Sequence, residues 1–264
     1  MGGVTIPRVL VIAGSDSGGG AGIQADIRTI TMLGGHPMTA ITAITAQNTR
    51  GVQAVMPVPA ATVTAQIDSV VADLGVDAVK IGMIGSAATA AAVGDRLAGI
   101  GVPIVFDPVM VATSGSLLAD AATVASFERL IALAAVTTPN LPELAALGGE
   151  ARVRSLGAQG AGGALLVKGG HGEGDEVVDR LVEGDSTETV WRHPRLATRH
   201  THGTGCTLAS GIAAGLAAGM PLADATARAI AFVEAALANA PGLGGGHGPM
   251  GHALGRVPFE AMAR

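Results

Sequence analysis

Residues 199–220 read RHTHGTGCTLASGIAAGLAAGM, a glycine-rich turn running into a small-residue helix whose first turn carries Cys206, the only cysteine of the chain. The backbone N–H groups of Gly203, Thr204, Gly205 and Cys206 fall where a helix has no acceptors of its own. They can converge on one spot, reinforced by the positive end of the helix dipole. Such a turn suits a phosphoryl group, with a thiol beside it to serve as a base. A helix N-terminus lowers a thiol's pKa, which predicts a usable thiolate near neutral pH. Taken alone, the same residues also describe a plain turn before a core helix, with Cys206 as a small buried hydrophobe.

Other segments carry chemistry of their own. GSDSGGGAGIQAD, at 14–26, contains a match to the dinucleotide fingerprint, but the acidic residue needed on the second strand is replaced by ITAITAQN, which argues against a dehydrogenase. DSGG around Ser17 invites a serine-protease reading, for which the sequence offers no evident His–Asp pair. The reading that remains is a loop wrapped closely over a small polar ligand, with Gly14, Gly18, Gly19 and Gly20 permitting backbone approach. Asp26, one helical turn past Gly22, is either part of that site or a solvated acid on an amphipathic helix. Gln47 and Asn48 end an apolar strand where a carboxamide can both donate to and accept from a heteroaromatic ring. TPNLPE sets Asn140 and Glu143 on one side of a strand-to-helix turn, able to hold hydrated Mg²⁺ or phosphate, or simply to cap the helix. Lys168, in ALLVKGG, can reach a nucleotide phosphate or snorkel to the surface. His200, His202, His247 and His252 show no metal-ligand spacing and read as local hydrogen-bonding residues.

The elements that position these residues alternate between short apolar runs and helical patterns. RVLVIAG is a buried strand, and Ile23, Ile27, Ile30 and Leu33 recur at helical spacing before Gly34 and Gly35 stop the helix. MTAITAITA alternates with a period of two. Pro59 introduces a helix with Val63, Ile67, Val70, Val71 and Leu74 on one face, and Gly75 ends it before the strand DAVKIGMI. Ser86 caps a further helix, VPIVFDP is another buried strand, residues 121–134 are helical, and VTTPN is a short strand leading into LPELAAL. GALLVKGGHG, then EVVDRLVEG and TETVWRHP as an antiparallel hairpin, then the helix after the glycine turn and one at 222–239 complete the pattern. Alternation of this kind demands right-handed crossovers and a mostly parallel sheet with helices on both faces, its ligands gathered at the strands' carboxyl ends. The tail PGLGGGHGPMGHALG reads as a flexible linker.

Composition narrows the class. The 264 residues fit one α/β domain spanning 1–264, and a net charge of −5 without any long Lys or Arg run excludes the footprint of a nucleic-acid binder. Four Phe, one Trp and no Tyr leave little to stack on bases. A single cysteine rules out an internal disulfide and points to a reducing, cytoplasmic setting. Neither a signal peptide nor a membrane span of about 20 apolar residues is evident.

In order and approximate spacing, AGSDSGGGAGIQADI, TAITAQNTRGV, KIGMIGS, DPVM, TPNLPE, LVKGGH, THGTGCTLASGIAAG and GHGP resemble the hydroxymethylpyrimidine/phosphomethylpyrimidine kinases of thiamine biosynthesis, a branch of the ribokinase-like superfamily. Cysteine rather than aspartate after the glycine turn marks that branch and some pyridoxal-kinase-like relatives. The resemblance implies a three-layer sandwich and phosphoryl transfer from ATP with Mg²⁺ to a pyrimidine alcohol and then to its monophosphate. It makes Gly14, Gln47, Met83 and Val109 residues of a pyrimidine pocket, Asp107, Asn140 and Glu143 the magnesium and phosphate region, and Lys168 part of the nucleotide side. Thr113 stands in VATSG where many relatives carry Lys, and Gly18 where Ser is frequent. A homodimer without nucleic-acid or membrane partners is expected. The competing readings are a pyridoxal, pyridoxine or pyridoxamine kinase and, in another class, a non-catalytic nucleotide or vitamin sensor.

Overall fold

The structure is a computed structural model and describes residues 6–112, 115–172 and 174–256. It opens with β1 (Arg8–Ser15), α1 (Gly22–Met32), β2 (His36–Asn48), β3 (Gly51–Pro57) and α2 (Ala60–Asp73). Then come β4 (Ala78–Ile81), α3 (Ala87–Leu97), β5 (Ile104–Phe106), α4 (Ala121–Leu133), β6 (Val136–Thr137), α5 (Leu141–Ala146) and α6 (Glu150–Gly157). The C-terminal part holds β7 (Ala164–Val167), β8 (Glu176–Val182), β9 (Glu188–Pro194), α7 (Thr204–Ala217) and α8 (Leu222–Ala238).

All the strands form one sheet in the order β3-β2-β1-β4-β5-β6-β7-β8-β9. From β2 to β7 neighbouring strands are parallel, while β3, β8 and β9 add antiparallel edges. The chain steps outward from β1 to β2 and then returns to β4 on the other side of β1, which opens a crevice at the carboxyl ends of β1 and β4.

The apolar runs are buried on both faces, as parallel strands between two helix layers must be. Leu10 and Ile12 face a core shared with Val63, Val93, Phe127 and Leu130, whereas Val9 and Val11 face a second core with Ile30, Leu208, Ile212 and Ala229. The expected three-layer α/β architecture is what the chain adopts. The alanine and glycine content has a specific use here: a Cβ on Gly211 would lie 2.8 Å from Ala229 Cβ, and one on Gly215 2.6 Å from Ala225 Cβ. Helices α7 and α8 therefore cross at a distance only small residues allow.

Three departures from the sequence reading stand out. Edge strand β3 was not expected, because its residues are exposed or half-buried and carry no alternating pattern. Helix α6, charged and short, was also missed. The glycine-rich tail is no linker over its described part: His247 N–H donates to Thr49 O at 2.9 Å, and Met250 and His252 are buried. Among the described residues, no helix is long and apolar enough to cross a membrane.

Candidate active site

A cleft of about 930 Å³ lies over the carboxyl ends of the parallel strands and the start of α7. Gly14, Gln47, Met83, Asp107, Val109, Asn140, Glu143, Lys168, Gly203, Thr204, Gly205 and Cys206 all line it. Gly18, Gly19, Gly20 and Asn48, also singled out from sequence, do not line it, and neither does Asp26. It is fully buried beneath the cleft, where its carboxylate accepts two 3.0 Å bonds from Lys80 Nζ and one of 2.6 Å from Ser210 Oγ. It is therefore neither a substrate ligand nor a solvated acid. Its partner Lys80, a lysine inside the apolar strand β4, does line the cleft, and the Asp26 carboxylate holds the ammonium charged despite burial.

One wall sets Met83 and Gln47 beside a loop built on a buried aspartate. Met83 is held by Thr42 Oγ1, which donates to its carbonyl at 2.6 Å, and a Cβ on Gly14 would stand 3.0 Å from Met83 Sδ. Glycine at 14 thus lets the thioether close over the strand end. The loop after β1 is organised by Asp16, whose carboxylate accepts backbone N–H bonds from Gly18 at 2.8 Å, Gly20 at 3.0 Å and Ala21 at 2.8 Å. These bonds and His202 pull its pKa below the usual aspartate value, outweighing the desolvation that works the other way. Ser17 is no nucleophile: its hydroxyl donates to Gln47 O and accepts from Gln47 N–H, both at 2.8 Å. A His–Asp pair does exist next to it, but His202 turns toward Asp16 and Gln47.

The opposite wall is charged. Lys168 Nζ lies 2.6 Å from Asp107 Oδ1 and 3.7 Å from Glu143 Oε2, and Thr138 Oγ1 adds a 3.0 Å bond to Asp107. Asn140 and Glu143 form a reciprocal capping box at the start of α5, with both bonds at 2.8 Å, so the cap and the site are the same residues. Burial pushes the Glu143 carboxyl up while Lys168 pulls it down, and the upward push prevails. Burial likewise opposes the Lys168 ammonium, yet Asp107 and Glu143 together hold its pKa above the ordinary lysine value.

Between the walls sits the glycine turn. Gly203 adopts φ +89°, and a Cβ there would meet Gly20 O at 2.0 Å, so the two glycine loops touch backbone to backbone. The first intrahelical bond of α7 runs from Thr207 N–H to Gly203 O at 2.9 Å. Thr204 N–H is engaged by Thr201 O at 3.3 Å, which narrows the expected anion hole. Gly205 and Cys206, at the second and third positions of α7, precede the first intrahelical donor. Gly205 also abuts the charged wall: its Cβ position is 3.2 Å from Lys168 Nζ.

Cys206 departs from its expected chemistry. Burial pushes the thiol up to about 11, Lys80 pulls the other way, and the Asp26 and Asp107 carboxylates add to the rise. In the free protein it is a thiol at neutral pH, because desolvation and the two carboxylates outweigh Lys80 and the Gly22 backbone N–H. Thr113, the departure from the usual Lys, lies outside the described residues.

Two of the residues missed from sequence, Asp16 and Lys80, had a signal. Asp16 precedes a glycine run, the position from which a carboxylate satisfies turn N–H groups. Lys80 interrupts a buried apolar strand, which requires a buried counter-charge. His202 gave no signal beyond lying next to the glycine turn.

Residues 16–251 match the family model described as phosphomethylpyrimidine kinase. A hydroxymethylpyrimidine/phosphomethylpyrimidine kinase of Rhizobium meliloti is 50% identical over 92% of this chain and 96% of its own length. A phosphomethylpyrimidine kinase structure from Clostridium difficile superposes with TM-score 0.74 at 36% identity, covering 87% of this chain and 98% of the other. An ADP complex of Bacillus subtilis pyridoxal kinase superposes with TM-score 0.84 at 31% identity, covering 96% and 100% of the two chains. With a family model spanning nearly the whole chain and half of all residues shared with a full-length relative, this chain belongs to the phosphomethylpyrimidine kinase family.

Proposed function

We propose a division of labour for this enzyme, an ATP-dependent hydroxymethylpyrimidine and phosphomethylpyrimidine kinase of thiamine biosynthesis. The carrying observation is that Gln47, Met83 and Val109, a glycine turn with a thiol, and a lysine-bearing charged wall meet in one cleft. Gln47 reads the edge of the pyrimidine while Met83 and Val109 supply apolar contact to its faces. Lys168 meets the phosphates of ATP. The free N–H groups of Gly205 and Cys206 face the charge that develops on the transferring phosphoryl group. Cys206 Sγ, as thiolate, takes the proton of the attacking hydroxymethyl oxygen as that oxygen bonds to the γ-phosphorus and the bond to ADP breaks. The same cleft then accepts the monophosphate as the next nucleophile.

The donor set speaks to magnesium. Among the described residues there is no cluster of three His, Cys, Asp or Glu side chains, and the Lys168 ammonium stands between the Asp107 and Glu143 carboxylates. Two carboxylates suit a hydrated Mg²⁺ that enters on ATP and takes most of its ligands from phosphate and water, rather than a resident metal. Asp107 and Glu143 are the residues that would hold it, and it would neutralise phosphate charge. A cytoplasmic homodimer completes the proposal; Ile44 and Met56, paired across β2 and β3 and both exposed, offer an apolar face for it.

Mass analysis of the products from MgATP and 4-amino-5-hydroxymethyl-2-methylpyrimidine tests the function, with the mono- and then the diphosphate expected. The base is tested in the same assay. Since the thiol sits at about 11, kcat/KM should climb with pH from neutral toward alkaline conditions, where the thiolate fraction grows. Cys206→Ala should lower kcat by about 100-fold or more and abolish the climb. A pH-independent wild type, or near-normal turnover in the variant, rejects the thiolate base.

A further inference from the structure

The Gln47 carboxamide is gripped from two sides. Its nitrogen lies 3.2 Å from His202 Nε2, and its oxygen 3.3 Å from Thr45 Oγ1. The oxygen and nitrogen of an amide are told apart by the hydrogen bonds their neighbours can make. His202 Nε2 lies 2.9 Å from Asp16 Oδ2, an oxygen that already accepts from Gly20 and Ala21. A carboxylate oxygen accepts only, so His202 Nε2 must carry a proton. A protonated ring nitrogen has no lone pair left for an amide N–H. On the other side, Thr45 spends its one hydroxyl proton on Ser15 O at 2.7 Å, so toward Gln47 its oxygen can only accept. Both requirements are met by one arrangement: Gln47 Oε1 turns to His202, whose Nε2–H is shared between Asp16 Oδ2 at 2.9 Å and the amide at 3.2 Å as a three-centre bond, and Gln47 Nε2 turns to Thr45.

We infer that His202, locked by Asp16, is a positioning residue for substrate selection, fixing the Gln47 amide so that the cleft meets an acceptor and a donor in one set order. Oε1 keeps a lone pair and Nε2 keeps an N–H for the ligand. The complement of that pair is an exocyclic amino group beside a ring nitrogen that bears a lone pair, which is the edge of a 4-aminopyrimidine. A 3-hydroxypyridine such as pyridoxine has no such neighbouring pair. The order matters as well as the groups. With the amide reversed, an aminopyrimidine would have to turn over to keep both bonds, and its 5-hydroxymethyl group would swing to the other side of the site. The inference rests on the reading of Gln47 as the residue that meets the ring.

The test is a double-mutant cycle read as a ratio of two substrates. kcat/KM for the pyrimidine alcohol and for pyridoxine is measured in the wild type, His202→Met, His202→Gln, Gln47→Ala and the Gln47→Ala/His202→Met double variant, with KM for ATP as the control for general damage. His202→Met should lose about 10- to 100-fold on the pyrimidine, far less on pyridoxine, and leave KM for ATP unchanged. His202→Gln can place an N–H where the imidazole had one and should recover most of the ratio. In the Gln47→Ala background, His202→Met should leave the ratio where it was. Equal losses on both alcohols, no recovery with Gln, or a further fall of the ratio in the double variant each overturn the inference while leaving the kinase reading intact. A wild type that favours pyridoxine over the pyrimidine overturns the substrate reading itself, and the inference with it.

Discussion

Two lysines of the parallel sheet, Lys80 within β4 and Lys168 just past β7, are each paired with an aspartate but occupy different physical worlds. Lys80 and Asp26 are sealed, with side-chain exposure of 0% for both, and Ser210 takes up part of the carboxylate's remaining capacity. Lys168 retains 12% side-chain exposure at the cleft wall, and it is shared between Asp107 and Glu143 rather than matched to one partner. The first pair is a permanent charge built into the floor. The second is an arrangement a ligand can rearrange: an arriving phosphate can take the ammonium if a cation entering with it meets the Asp107 and Glu143 carboxylates, whose side chains are only 1% and 9% exposed. The comparison separates what holds the site from what turns over in it.

Breaking the sealed pair should have the largest effect. Lys80→Met leaves the Asp26 carboxylate buried without its counter-charge and should destabilise the fold by about 3–5 kcal/mol. Chemical denaturation at neutral pH measures it. In the variant, Asp26 escapes the penalty by binding a proton, so its folded pKa lies above the unfolded one. The variant is then least handicapped below the unfolded aspartate pKa of about 3.9 and loses ground as pH rises through its raised folded pKa. Lys80→Met/Asp26→Leu should regain most of the stability, since well-packed apolar residues often replace a buried pair at little cost. It should remain slow, because the Lys80 ammonium no longer pulls the Cys206 thiol pKa down. A double variant with normal turnover would show that Lys80 serves the fold alone.

At the open pair the consequences should run the other way. Lys168→Met is expected to lower kcat/KM by about 10- to 100-fold, the range for losing a charge-assisted contact of roughly 1.5–3 kcal/mol, with a loss of stability smaller than that of Lys80→Met because Thr138 Oγ1 still donates to Asp107 and the cleft lies beside it. Activity retained beside a large loss of stability would place Lys168 with Lys80, as a structural charge.

The comparison also marks how far the sequence could be read. The layered α/β fold and the strand ends were legible because apolar runs of β1, β4 and β5 alternate with helical periodicity, and that pattern has few solutions. That Gln47, Lys168 and Cys206 line the cleft was legible for a related reason, since each ends or follows a strand or opens a helix where ligands collect. Asp26 was misplaced because helical spacing tells which face a residue occupies but not whether a charged partner waits beneath it. Lys80 sits 54 positions away in sequence, and only the β1–β4 crossover brings the two together. The Cys206 thiol was misjudged for a similar reason. A helix terminus is a local feature visible in sequence, whereas Asp107 and Asp26 reach the sulfur from distant segments and push its pKa the other way. Edge strand β3 and the packed tail depend on contacts between Thr49 and the 246–247 segment, which no periodicity announces.

The smallest effect should come from the second carboxylate of the open pair. Glu143 accepts the Asn140 N–H in its capping box and lies 3.7 Å from Lys168, farther than Asp107. Glu143→Gln keeps the side chain's shape and an oxygen to accept that N–H, so α5 should stay capped and the pyrimidine should bind as before. What it removes is one charge facing the nucleotide phosphates. If that charge helps hold a hydrated Mg²⁺ entering with ATP, the variant should need several times more magnesium to reach half-maximal rate, by about the two- to fivefold expected for a partly screened carboxylate worth ~0.5–1 kcal/mol. If the charge serves only to restrain Lys168, removing it should instead free the ammonium for phosphate and lower KM for ATP at an unchanged magnesium requirement. Magnesium titrations at fixed ATP separate these outcomes, and an unaltered titration with an unaltered KM would leave Asp107 as the sole carboxylate of the open pair that matters to turnover.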